Sequence, residues 1–156
     1  MSAMVTALLV LHSFLRWVVI FSGIAALGGA VGGVTAKRPW LPVDNVRSLL
    51  FTISLDVQVL IGLVLYVISP VTRSAFGDMG MAMRTPVLRF FVVEHLIGMV
   101  VALALVHIGR VRLRKSTGDA QRHKIALVFF GLGLVVLLLS IPWPGMPGGR
   151  VLFRSF

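Results

Sequence analysis

The chain has 156 residues, of which 58% are hydrophobic and only 13% are charged. A water-soluble domain of this length needs far more polar surface, so the composition excludes a soluble globular protein. The formal net charge of +10 would suggest a nucleic-acid partner in a soluble protein. Here the basic residues lie in short segments between apolar runs, where lipid headgroups and membrane topology explain them. The sequence contains no cysteine, which excludes disulfides, thiolate metal sites and cysteine redox chemistry.

Four apolar runs are each close to the ~20 residues that cross a bilayer, and they predict an all-α integral membrane four-helix bundle. We place the spans at about 13–33, 48–68, 88–108 and 125–141, within a single transmembrane domain over residues 1–156. The N-terminal segment has no basic region before its apolar run, so we interpret it as an uncleaved membrane helix. Gly28 and Gly32, like Gly29 and Gly33, have the GxxxG spacing that permits close helix packing.

The distribution of Lys and Arg predicts the orientation of the bundle. Nine basic residues follow spans 1 and 3: Lys37, Arg38, Arg47, Arg110, Arg112, Arg114, Lys115, Arg122 and Lys124. The other side carries Arg73, Arg84, Arg89, Arg150 and Arg154, with Arg16 just inside span 1. By the positive-inside rule, the two basic loops face the cytoplasm and both termini lie on the outer side.

Spans 2 and 3 contain ionisable side chains at depths where such groups are costly and usually functional. Span 3 carries Glu94 and His95 near one end and His107 near the other, whereas span 2 contains Asp56 and Gln58. A carboxylate in lipid must be protonated, paired or exposed to a wet cavity, which makes Asp56 a candidate proton-handling group. Gln58 is a candidate for interhelical hydrogen bonding.

The four histidines fall into two pairs by depth. Spans 1 and 3 run in the same direction, so His12 and His95 both lie in or near the outer half, and His107 and His123 near the inner surface. Two neutral imidazoles that face each other across a bundle can hold a b-type haem, and His12 and His95 are the favoured pair. His107 follows His95 by 12 residues, ~120° around the helix, so one face cannot carry two stacked haems. We interpret His123, at a basic helix start, as a surface histidine, and His107 as either a ligand or an interfacial residue.

Three further residues are candidates for the same site. Gly98 lies one turn after His95 on the same face and would leave room for a flat macrocycle. Arg16 lies one turn after His12 and could meet a haem propionate or Glu94. The alternative is that these polar groups only hydrogen-bond between helices or mark an ion path.

The segment between spans 2 and 3 contains Met79, Met81 and Met83 at alternate positions. Thioethers favour Cu(I), so this cluster is a possible copper site. The alternative is an apolar loop that rests on the membrane surface, because methionine is an adaptable residue at interfaces.

The chain resembles a family of small bacterial four-helix membrane proteins that carry the name cytochrome b. The similar segments occur in order over nearly the whole chain, at residues 11–17 (LHSFLRW), 88–95 (LRFFVVEH), 107–110 (HIGR), 123–126 (HKIA) and 140–144 (SIPWP). The resemblance implies a b-haem or quinone-linked electron-transfer protein, with His12, His95 and also His123 as matching histidines. The family often has a histidine before the glutamine of span 2, where this chain has Asp56, so one haem is expected and not two.

The leading hypothesis is therefore a b-type cytochrome-like electron-transfer subunit of the bacterial inner (cytoplasmic) membrane. One haem b would lie between spans 1 and 3, with His12 and His95 as iron ligands, while Glu94 and Arg16 neutralise or tune the site. The lipid bilayer is its environment, and other membrane subunits or further copies of the chain are its expected partners, with quinone as a candidate and no role for nucleic acid. Independent catalysis is not required.

Two other classes remain open. The first is a cofactor-free accessory subunit of a larger respiratory or photosynthetic complex, in which the polar residues hold helices together. The second is a small transporter or metal-handling protein that uses Asp56, Glu94 and the three methionines. Chlorophyll also accepts histidine ligands, so the sequence does not separate it from haem.

Overall fold

The computed structural model describes residues 3–146 and 148–151, which contain helices and turns and no strand. Arg154, used in the orientation argument, lies outside the described residues. The helices are α1 (Ala3–Thr35), α2 (Pro42–Ile68), α3 (Pro70–Gly77), α4 (Met79–Arg84), α5 (Pro86–Lys115) and α6 (Asp119–Leu139). Four of them, α1, α2, α5 and α6, are long and apolar enough to cross a membrane. The predicted all-α four-span architecture is confirmed, and the side on which the termini lie stays a prediction.

Proline and capping residues set the helix ends. Pro42, Pro70 and Pro86 each occupy the first helical position, where the missing N–H costs no intrahelical hydrogen bond. The segment between spans 2 and 3, for which an apolar loop is one of the two interpretations, contains the two short helices α3 and α4. The Ser69 side chain accepts from the Val71 N–H at the start of α3, and the Asp78 side chain does the same for α4.

The four spans form a ring in chain order, in which α1 packs on α2, α2 on α5, α5 on α6 and α6 on α1. The α2–α5 boundary is the least extensive of the four. The core contains Phe51 and Phe130, which are fully buried and meet edge to face with ring centroids 5.8 Å apart. This arrangement places α1 and α5 diagonally across the bundle, running in the same direction.

One of the two predicted GxxxG pairs is used inside the bundle. Gly29 and Gly33 are buried, and a β-carbon at Gly33 would overlap the ring of His123. A β-carbon at Gly28 or Gly32 would meet nothing within 4 Å. The buried pair therefore allows α2 and α6 to approach α1 closely.

The start of α5 departs from regular α-helical geometry. Residues Phe90–Glu94 form a π-helical turn directly before His95. Such turns are rare and are frequent at functional sites, because the extra residue changes the direction of the side chains around it.

Candidate functional site

A cavity of about 260 Å³ lies between α1, α2, α5 and the segment that follows α6. It occupies the end of the bundle opposite the basic loops that follow α1 and α5. Its walls are mainly apolar, and no Asp or Glu occurs among the described residues that line it. The polar groups that matter for its chemistry are His12, Arg16, Gln58, Tyr66, His95 and Arg150.

His12 and His95 face each other across this cavity, with ring centroids 6.5 Å apart and ring planes at 77°. The sequence predicted that His12 and His95 lie at the same depth in the membrane, and in the fold the two residues are neighbours. Two imidazoles that share one metal ion through bonds of about 2 Å have ring centroids about 6 Å apart. The separation of the rings suits two ligands of one metal ion.

The protonation of His95 follows from its hydrogen bond. Its Nδ1 lies 2.7 Å from the Ser140 carbonyl oxygen, and because a carbonyl can only accept, Nδ1 carries the proton. The Nε2 atom of the neutral ring then keeps its lone pair. Metal-binding histidines usually donate their other N–H to a carbonyl or carboxylate in this way, which fixes the ring orientation. The rings of Phe90 and Phe91 pack beside His95 and restrict it further.

His12 is held by Gln58, a residue that the sequence associated only with helix packing. The Gln58 amide Nε2 lies 3.1 Å from the His12 carbonyl oxygen and 3.2 Å from His12 Nε2, so the amide can donate one hydrogen to each. The buried atoms His12 Nδ1 and Gln58 Oε1 have no hydrogen-bond partner within the described part of the chain. Gly62 lies alongside, where a β-carbon would come 3.2 Å from His12 Cε1.

Two arginines line the same cavity. The Arg16 guanidinium lies 5.6 Å from the ring centroid of Trp17 and donates to the Ser13 hydroxyl at 3.4 Å. The Arg150 guanidinium lies 5.1 Å from the ring centroid of Phe91. Sequence reasoning missed Arg150 because it belongs to a Gly- and Pro-rich segment with no periodicity to indicate its direction.

Two predicted site residues lie outside the cavity. Glu94 forms an ion pair with Arg89, with Oε1 2.7 Å from the Arg89 Nε, and about half of its side chain is exposed. At Gly98 a β-carbon would overlap the side chain of Ser140, so the space expected there for a macrocycle is occupied by Ser140, directly after α6. Gly98 therefore permits close contact with that segment.

The other two histidines have separate environments. His107 Nε2 lies 2.6 Å from Asp56 Oδ1, in a pair at the outer boundary between α2 and α5. His123 is fully buried, with its ring 4.9 Å from that of Trp40 and its Nε2 3.4 Å from the Pro39 carbonyl oxygen. The interpretation of His123 as a surface histidine is wrong, because Gly33 leaves a notch that the imidazole fills.

The basic end of the bundle has a dense polar network. The Arg38 guanidinium donates to both carboxylate oxygens of buried Asp44, at 2.6 and 2.8 Å, and to the Gly29 carbonyl oxygen. The hydrogen bond to Asp44 raises the pKa of Arg38. Arg110 donates to the Asn45 side-chain oxygen and the Ser48 hydroxyl. These groups join α1, α2 and α5 at the end remote from the cavity.

Comparison of the chain with protein-family models, with curated proteins and with solved structures finds no match. Among the residues that the structure describes, no group of three or more His, Asp or Glu side chains is placed to hold a metal ion. Met79 and Met81 are exposed on α4, and their role as a copper site stays a prediction. The functional argument therefore depends on the paired histidines and their cavity.

Proposed function

We propose that the protein is a b-type cytochrome-like electron-transfer subunit that binds one haem b in the cavity between α1 and α5. The observation that carries this proposal is the pair His12 and His95, whose ring centroids are 6.5 Å apart beside a cavity inside a membrane bundle. When bound, a haem supplies reversible one-electron chemistry. The chain supplies the ligands, the charges and the apolar surroundings.

The chemistry of the lining supports this cofactor. His95 has its Nδ1–H bonded to Ser140, which leaves Nε2 available as a metal ligand. Arg16 and Arg150 are cations on a lining whose described residues include no carboxylate, which suits the negatively charged propionates of a haem. A smaller cavity of about 40 Å³ continues from the two histidines toward Leu63, Leu96 and Val100, between α2 and α5.

Gln58 would have a positioning role at this site. Its amide donates to the backbone of His12 and also to the Nε2 lone pair of the same residue. Binding of a metal at this nitrogen requires the amide to give up the second of these hydrogen bonds. Gln58 therefore competes with a ligand at His12 and holds the neutral ring in its absence.

The direct test is a reduced-minus-oxidised visible spectrum of protein purified under conditions that retain haem. The wild type should show a b-type α-band, and His12→Ala and His95→Ala should each abolish it. His107→Ala is the matched control, because it removes a histidine from the same helix as His95 but outside the cavity, and it should keep the band. A folded wild-type protein without this band overturns the proposal.

A cofactor-free accessory subunit of a larger membrane complex is the second candidate. Its support is that both histidines already have hydrogen bonds within the bundle, His12 with Gln58 and His95 with Ser140. Interhelical bonds of this kind stabilise membrane bundles without any ligand. In that case His95→Ala should reduce stability slightly and leave assembly with partner subunits intact, and no haem should copurify.

A further inference from the structure

The Asp56–His107 pair is outside the haem proposal and lies at an unusual place for two titratable groups. Oδ1 and Nε2 are 2.6 Å apart, and 43% of the Asp56 side chain and 48% of that of His107 are exposed. Asp56 lies 14 residues after Pro42 and 12 before Ile68, about 20 Å from either end of α2. In a helix of this length the pair faces the hydrocarbon region of a bilayer.

The described residues around the pair provide no further hydrogen-bond partner for it. Asp56 Oδ2 and His107 Nδ1 make no hydrogen bond within the described residues. Exposed apolar side chains, among them Ile53, Leu60 and Val111, lie one turn away on the same helices. Hydrocarbon cannot solvate such atoms, so ionisable groups that face it are costly and mark a functional site. A ligand that arrives through the membrane would satisfy them.

We propose that Asp56 and His107 bind the headgroup of a lipid-soluble quinone at the exposed boundary between α2 and α5, which is called the groove below. A neutral pair, in which the Asp56 Oδ1–H donates to Nε2, presents Nδ1–H as a donor and Oδ2 as an acceptor. A quinone carbonyl accepts from such a donor, and a quinol hydroxyl donates to such an acceptor. The apolar tail of the ligand stays among the exposed side chains of the groove and the lipid.

The position of the pair favours a quinone over another occupant of this surface. The small cavity beside His12 and His95 reaches Val59 and Val100, at the same α2–α5 boundary. Val59 is three residues from Asp56 and Val100 is seven from His107, so each lies on the same helix face as its partner, one and two turns away. The small cavity and the pair therefore lie along the same boundary between α2 and α5, one to two turns apart. This inference rests on the proposed electron-transfer function for its purpose, but headgroup binding itself does not require haem.

The test measures equilibrium binding of a decyl-substituted benzoquinone, and of its reduced quinol, to the full chain in lipid nanodiscs. Asp56→Leu and His107→Leu, which leave no polar atom at these positions, should each weaken binding about tenfold, the effect of one lost hydrogen bond of ~1.4 kcal/mol. Asp119→Leu is the matched control, because it makes the same change of side chain in an exposed ion pair with Arg122 outside the groove. It should leave binding unchanged. Leu60→Trp, which blocks the groove without altering the polar pair, should also weaken binding.

The remaining outcomes separate this proposal from its rivals. Unchanged quinone binding in Asp56→Leu, His107→Leu and Leu60→Trp overturns it. Variants that convert a dimer to a monomer without affecting quinone binding also overturn it, and assign the pair to an interface between two copies. Haem content is measured in the same samples: a wild type without haem whose quinone binding depends on Asp56 contradicts only the cytochrome function.

Discussion

Both ends of the bundle bury histidine and arginine side chains, but these side chains are tightly packed at one end and border a cavity at the other. At the basic end, His123 fills the notch at Gly33, and Arg38 makes a two-point contact with Asp44. At the other end, His12 and His95 border a cavity of about 260 Å³, and each keeps one ring nitrogen without a hydrogen bond to the described residues, the Nδ1–H of His12 and the Nε2 lone pair of His95. Both ends of the bundle bury histidine side chains, so burial alone does not indicate a ligand site. The cavity next to the histidines distinguishes a candidate ligand site from simple packing.

The largest expected effect is a loss of stability at the basic end of the bundle, where His123 packs against Gly33. Gly33→Ala would place a β-carbon on the His123 imidazole, and overpacking of this kind should lower the free energy of unfolding by about 3 kcal/mol. The measurement is denaturant unfolding in detergent, followed by tryptophan fluorescence. The matched control, Gly32→Ala, adds the same methyl group where nothing lies within 4 Å and should be neutral or stabilising by up to ~1 kcal/mol. Equal behaviour of the two variants would contradict the close packing of His123.

The next prediction fills the cavity at the opposite end. Gly62→Val should displace the His12 ring, because a β-carbon there already lies 3.2 Å from Cε1, and haem affinity should fall about tenfold. Haem occupancy is titrated by absorbance. Gly131→Val, where a β-carbon would meet only the tip of the Leu27 side chain at 3.5 Å, should leave occupancy unchanged. Full haem occupancy in Gly62→Val would show that the ligand does not use this cavity.

A smaller effect is expected at Gln58. Gln58→Leu removes the two hydrogen bonds to His12 and should reduce the free energy of unfolding by about 1 kcal/mol. Haem occupancy should be maintained or increased, because His12 Nε2 no longer accepts a hydrogen bond from the amide. The test compares unfolding and haem titration in the same preparation. A loss of haem as complete as in His12→Ala would contradict the competition between Gln58 and the cofactor.

The smallest effect concerns Glu94, which the sequence associated with the cofactor. Its ion pair with Arg89 is about half exposed, so Glu94→Gln should change the free energy of unfolding by less than ~1 kcal/mol. The absorption maximum and midpoint potential of the haem should not move. A clear shift of either property would place Glu94 beside the cofactor after all.

The sequence was sufficient for features that depend on local pattern and on counting along the helix. Apolar runs predicted the four spans, and the shared direction of spans 1 and 3 predicted that His12 and His95 lie at one level. Depth is a property of position along a helix, so residue counts determine it. The pairing of Asp56 with His107 also requires the rotation of α2 against α5, which neither helix specifies alone.

Other features of the site depend on contacts between distant segments. His123 is buried because Gly33 and Trp40, from elsewhere in the chain, form its surroundings. Its own neighbours, Arg122 and Lys124, indicated a surface position. Arg150 reaches the cavity through a turn that has no repeating pattern. Such positions become visible only when the packing of the whole bundle is known.

The π-helical turn at Phe90–Glu94 acts as a one-residue insertion within an otherwise regular helix. Because a π turn closes its hydrogen bonds over one residue more than an α turn, it absorbs the extra residue, and the parts of α5 before and after it keep the relative rotation of one regular helix. Deleting Val93 would therefore restore the α-helical repeat without rotating one part against the other, whereas a deletion elsewhere in α5 would rotate them by about 100°. The direction of His95 into the cavity therefore depends less on the length of this turn than on the length of the rest of the helix.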